Sequence, residues 1–138
     1  MGKSINVKKK GRGFELLVYN ELVKLVPSIR LSKWSGCSDE PGDLFGNHVT
    51  IEAKHVKNYS DNEITRWFKK LKDEAPDYIP ILIVRKNRYK NKVFIHTRNL
   101  GINVDDIVMF GWDSGKLLIK QLEETESEKR QPYSYLTG

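Results

Sequence analysis

The chain has 138 residues, and its 24 lysines and arginines outnumber its 18 aspartates and glutamates, for a formal net charge of +6. That length fits one compact domain with a real core and leaves no comfortable room for a second, while the basic balance favours an anionic partner, nucleic acid ahead of an acidic membrane surface. No stretch reaches the roughly 18 uninterrupted apolar residues of a membrane span, Cys37 is the only cysteine and so excludes an internal disulfide, and His48, His55 and His96 lack the paired spacing of a zinc site.

A soluble, cytoplasmic protein is expected, because no apolar run follows the basic start. Met1-Gly2-Lys3 opens like a lipidation signal, but Asn6 stands where serine or threonine is required.

Residues 1–11 carry Lys3, Lys8, Lys9 and Lys10 with no apolar period, and the glycines of Gly11-Arg12-Gly13 follow. A flexible basic arm is expected there. From Phe14 to Val26 apolar residues recur at helical spacing until Pro27, which predicts a first helix. Short apolar runs at Ile29 to Trp34, Leu44 to Phe45 and Val49 to Val56 predict strands, with Ser35 to Gly42 as a polar loop. Ser60-Asp61-Asn62-Glu63 has the pattern of a capping box, and Ile64, Trp67, Phe68, Leu71 and Ala75 form one apolar stripe behind it. The nearly continuous apolar run Tyr78 to Val84 predicts a strand covered on both faces in the middle of a sheet. Arg85 to Lys92 reads as a basic turn leading into a partner strand at Val93 to Thr97. Further on, Ile107 to Phe110 and Leu117 to Ile119 are expected as strands around the turn Asp113-Ser114-Gly115, and residues 123–138 as a frayed tail to a domain spanning 12–122. Helices and strands in this order predict an α/β fold of the α+β kind, a central mixed β-sheet flanked by helices.

The chemistry concentrates around one predicted hairpin. Glu52 and Lys54 are two apart on a strand, so both leave one face while Ile51 and Ala53 leave the other. A two-residue turn at Asn47-His48 sets Asp43 across from Glu52 and Leu44 across from Ile51, about 5 Å apart. A turn at Gly46-Asn47 instead makes Asp43 diagonal to Glu52 on the same face, and a three-residue turn breaks the constellation. Two carboxylates so placed repel unless a cation lies between them, and oxygen donors suit a hard ion such as Mg²⁺. The Lys54 ammonium beside that ion can orient or deprotonate a water, or steady the charge that develops on a phosphate. Glu15 is a third acid, on the same side of the first helix as Tyr19, Leu22 and Val26. It serves either the helix dipole, from the first turn, or the metal.

Lys10-Gly11-Arg12-Gly13-Phe14-Glu15, Pro41-Gly42-Asp43 and Glu52-Ala53-Lys54 together resemble the PD-(D/E)XK nucleases, and within them the small Holliday junction resolvases of archaeal and phage type. The resemblance covers roughly residues 8–97 and departs from the family pattern at Gly42, which separates the proline from the acid. It implies a restriction-endonuclease-like core, Mg²⁺ (with Mn²⁺ as a substitute) held by Glu15, Asp43, Glu52 and the Ala53 carbonyl, and catalytic assistance from Lys54. It also implies a homodimer that cuts two strands of branched DNA, with Ser35 and Ser38 in the loop where resolvases often carry a functional serine.

Each feature also has a plainer reading. Alternating charges are common on solvated strand faces, and the basic residues Arg85, Lys86, Arg88, Lys90 and Lys92 around Tyr89 either keep a hairpin soluble or contact phosphate, as Lys8, Lys9, Lys10 and Arg12 would. Trp67 and Phe68 complete an apolar stripe and are expected in the core; His55 is expected on the opposite strand face from Lys54. Three activities fit: a junction-selective endonuclease, another nuclease of the same class acting on linear or single-stranded DNA, and a basic nucleic-acid-binding module without catalysis.

Overall fold

The computed structural model describes residues 2–32 and 42–125, with side chains from residue 12 onward. A six-stranded mixed sheet is built from β1 (Arg30–Leu31), β2 (Leu44–Phe45), β3 (Val49–Val56), β4 (Ile79–Lys86), β5 (Lys92–His96) and β6 (Ile107–Gly111), in that spatial order. Every neighbouring pair is antiparallel except β3 and β4, which run parallel because α2 (Asp61–Glu74) carries the chain from one end of the sheet back to the other. The other two helices are α1 (Gly2–Leu25) and α3 (Trp112–Glu124).

Strand alternation divides the apolar side chains between two cores. Ile51, Ala53, Ile81, Ile83, Val93 and Ile95 meet Phe14, Val18 and Leu22 of α1, Val26 just past its end, and Ile119 and Leu122 of α3. On the other face Leu82, Val84 and Phe94 meet Ile64 and Phe68 of α2. Covering both faces is what makes β4 read as an unbroken apolar run, and each fully buried aliphatic side chain contributes about 1.5–3 kcal/mol.

Ser60 caps α2 as its sequence predicts: its hydroxyl accepts from Glu63 N at 3.2 Å, and the Glu63 carboxylate accepts from Ser60 N at 3.2 Å. Ser60→Ala should cost about 1 kcal/mol. The check is a lower urea midpoint with an unchanged denaturant slope.

Two expectations are revised. Helical backbone begins at Gly2, within the residues expected as an arm. Gly11 and Gly13 each cost a helix only about 1 kcal/mol, and lysine is a good helix former, so the glycines weaken the helix without ending it. The stretch expected as a strand at Leu117 to Ile119 belongs to α3, which runs on through Glu123 and Glu124 of the expected tail. Gly115, Ile119 and Leu122, spaced at helical intervals, are its buried face. The remainder of that tail and Trp34 of the first predicted strand lie outside the described residues. No described helix is long and apolar enough to cross a membrane.

Candidate active site

The hairpin of β2 and β3 has the register of a two-residue turn at Asn47-His48, with Leu44 opposite Ile51 and Phe45 opposite Thr50. The ladder stops at Leu44. Asp43 N–H donates to Ile51 O at 2.8 Å, and on its other side Asp43 O accepts from Ser32 N at 2.9 Å. Asp43 is thereby clamped between β1 and β3. The turn into it requires glycine: Gly42 has φ +64°, and a Cβ there would lie 2.5 Å from Thr50 Oγ1 and 2.7 Å from Ile51 O. The insertion that separates proline from acid in the sequence thus has a steric reason, while Pro41 itself lies outside the described residues.

The Asp43 carboxylate is buried, and its Oδ2 accepts from Ala53 N at 2.9 Å. It also meets the Glu52 carboxyl in a side-chain hydrogen bond. Burial, this hydrogen bond and the charge of Asp43 push Glu52 up from its ordinary 4.5 to about 9, against the pull of Lys54 and Lys70. The Glu52 carboxyl beside Asp43 therefore holds a proton more readily than an isolated carboxyl does. Lys54 leaves the same face two residues on, its ammonium 5.4 Å from the centre of the Trp67 ring on α2. Trp67 is half-buried and Phe68 buried, in the positions expected of core residues. His55 leaves the opposite face and packs its ring 5.4 Å from that of Phe14.

Glu15 reaches this neighbourhood from α1. It is 6% exposed, and its carboxyl is raised above the ordinary range by burial first and by Asp43 second, with Arg12 and Lys54 acting the other way. Glu15 is anchored by Arg12. Its Oε1 accepts from Arg12 Nη1 at 3.1 Å, and the same nitrogen donates to Ser32 O at 3.0 Å, which ties α1 to β1. Arg12, expected among the phosphate-contacting residues, is thus engaged within the fold.

Among the described residues no three histidine, cysteine or acidic side chains converge as a ready metal cage. The donor chemistry nevertheless suits a hard divalent cation. Asp43 and Glu52 are oxygen donors in contact, and a cation between them would relieve the repulsion that raises Glu52. Glu15 would complete the set on leaving Arg12.

The remaining sequence candidates divide. Lys8, Lys9 and Lys10 fall on α1, with side chains outside the described set, and Ser35 and Ser38 lie outside the described residues altogether. Arg85, Lys86 and Arg88 gather at the β4–β5 hairpin, where Arg85 stands opposite His55, one residue past Lys54, and Lys86 lies 5.4 Å over the Tyr89 ring.

A residue absent from the sequence-derived set holds the hairpin from behind. Glu123 of α3, 4% exposed, accepts from Ser28 Oγ at 2.5 Å, Asn47 N at 2.7 Å, His48 N at 2.8 Å and Val49 N at 3.2 Å. Burial works against its charge, yet these hydrogen bonds outweigh it and hold the carboxyl below the ordinary range. Only recognition of α3 as a helix, from the spacing of Gly115, Ile119 and Leu122, would have brought Glu123 into view.

No family model, no curated protein and no solved structure matches this chain.

Proposed function

We propose that this chain is a divalent-cation-dependent DNA endonuclease with a restriction-endonuclease-like core, acting on branched DNA and above all on four-way junctions. The observation that carries the reading is the buried contact between Asp43 and Glu52 beside Lys54. Two acids in contact cost the fold stability, and such a cost is retained where a site needs it.

Asp43 and Glu52 would hold Mg²⁺ or Mn²⁺, joined by Glu15 and the Ala53 carbonyl. The cation supplies Lewis acidity toward a phosphate oxygen and lowers the pKa of a water. Lys54, steadied by Trp67, would orient or deprotonate that water or balance charge on the phosphate. Asp43, clamped by Ser32 and Ile51, and Glu52, fixed on β3, present their oxygens with little freedom left to lose on binding. Cutting two strands of a junction needs two such sites, which a homodimer provides.

The test is cleavage of a four-way junction beside a linear duplex of the same sequence, with Mg²⁺, with Mn²⁺ and with EDTA. Junction cutting that requires the cation is expected. Equal cutting of both substrates would replace the junction reading with a nuclease of broader substrate range, and binding without cutting under any cation would leave a nucleic-acid-binding module.

A further inference from the structure

Beyond β4 the chain turns through Asn87-Arg88-Tyr89 and borders, with α1 and α3, an open surface cavity of about 340 Å³ lined by Arg85, Arg88, Lys90, Tyr89, Trp112 and Glu21. Three cations face it. Among the described residues none of the three lies within ion-pair distance of a carboxylate. Glu21, the acid on the wall, is already engaged: its Oε1 accepts from Trp112 Nε1 at 3.2 Å and lies 3.9 Å from Lys116 Nζ. The Nε of Arg85 is buried with no hydrogen-bond partner among the described residues. A buried donor left unmatched weakens the fold, and a guanidinium not spent on internal partners is free to turn toward an arriving anion. Arg88 has φ +69°, the one non-glycine residue with positive φ among those described. A backbone in that region is held there by its surroundings at some cost, which is a recurrent property of binding loops.

The position of the cavity matters as much as its charge. Arg85 pairs with His55 across the parallel strands, one residue past Lys54. Adjacent strands lie about 4.8 Å apart, so the cavity lies near the same end of the sheet as Lys54 but on the opposite face, the one that α1 and α3 cover.

We propose that this cavity is a phosphate pocket holding one phosphodiester of a nucleic-acid strand, with Arg85 and Arg88 on the phosphate oxygens, Lys90 adding charge at the rim and the exposed ring of Tyr89 against the adjoining base. The identity of the strand as DNA running to the Asp43–Glu52 pair rests on the nuclease reading above; the phosphate chemistry of the pocket does not. Guanidinium forks suit phosphate oxygens, and an aromatic face accepts any base.

The experiment is a titration of labelled four-way junction in EDTA across about 50 to 200 mM salt, where each phosphate contact contributes about 0.9 to the slope of log affinity against log salt. Arg85→Gln/Arg88→Gly should lower that slope by about 0.9, corresponding to roughly tenfold weaker binding near 0.1 M salt. Because glycine is at ease at φ +69°, Arg88→Gly alone keeps the fold, and it should give at least half of that change. Lys120→Gln, which removes one charge from a cation paired with Glu124, controls for the one charge that Arg88→Gly removes. A pocket variant whose slope matches that of Lys120→Gln overturns the proposal. AMP and inorganic phosphate serve as competitors, and displacement of the junction by either at the concentration at which an oligonucleotide displaces it would make the pocket one for free phosphates and overturn the strand reading. If the junction is never cut with Mg²⁺ but the slope change remains, the nuclease reading fails and the pocket stands. If the junction is cut and the slope does not change, the pocket alone fails.

Discussion

Asp43→Asn should abolish cleavage and at the same time stabilise the cation-free protein. The loss follows from removing a carboxylate from the proposed cation set: charge stabilisation by a metal is worth several kcal/mol in the transition state, and at 1.36 kcal/mol per tenfold this predicts a drop of about a thousandfold. The gain follows from Glu52. Its carboxyl titrates near 9 in the fold against an ordinary 4.5, so between those values the folded state binds more protons than the unfolded state. The contribution of Glu52 is then most favourable below pH 4.5 and declines as pH rises toward 9. An asparagine at position 43 removes the negative charge and keeps an oxygen for Ala53 N–H, so the Glu52 carboxyl moves back toward its ordinary range. Asp43→Asn should therefore gain on the order of 1–2 kcal/mol at neutral pH, and its advantage should shrink as the pH is lowered to about 4.5. Thermal melts in EDTA at a series of pH values read the stability, and junction cleavage with Mg²⁺ reads the activity. A variant that still cuts at the wild-type rate refutes the site; one that loses stability while losing activity would make Asp43 a merely structural residue.

What the sequence disclosed and what it hid follow from the range of the forces involved. The cap at Ser60 and the stripe Ile64, Phe68 and Leu71 depend on neighbours within a few residues, and they stand in the structure as the spacing predicts. The same holds for Glu52 and Lys54, whose shared face is a consequence of strand geometry alone. The register of Leu44 with Ile51 is one of three that the sequence leaves open. Choosing among them depends on what lies behind the loop, and that is Glu123, distant in sequence. Sequence also placed Glu15 on the buried side of α1 without its partner: the bridge from Arg12 to both Glu15 and Ser32 joins a helix to a strand beyond the first turn, and no local pattern encodes it. The misreading of Leu117 to Ile119 had a nearer cause. Three consecutive apolar residues fit a strand as well as a helix, and the periodicity that separates the two extends back to Gly115 and forward to Leu122.

Glu123→Ala should be the most damaging single change remote from the acidic pair. The carboxylate accepts from three consecutive amides, those of Asn47, His48 and Val49, at the turn of the hairpin, and from Ser28 Oγ. A side chain on Gly46 would collide with it, since a Cβ there would lie 2.3 Å from Glu123 Oε2, so turn and carboxylate are fitted to each other. Truncation leaves buried donors unmatched at about 1–3 kcal/mol each, and with partial hydration of the loop the expected loss is about 3 kcal/mol or more, a large share of the roughly 5–15 kcal/mol of a typical domain. Glu123→Gln keeps one acceptor and should lose about half as much. The two variants also differ from wild type in acid. Hydrogen bonding holds the Glu123 carboxyl below 4.5 in the fold, so its contribution is present above pH 4.5 and is lost as the pH falls through the lowered folded value; neither variant can show that step. Urea unfolding at neutral pH and at successively lower pH measures both effects. Because the turn sets the register that brings Asp43 to Glu52, Glu123→Gln should also depress junction cleavage more than junction binding in EDTA. Loss of less than about 0.5 kcal/mol in Glu123→Ala, the level of an ordinary surface substitution, would show that the hairpin holds its register without the helix behind it.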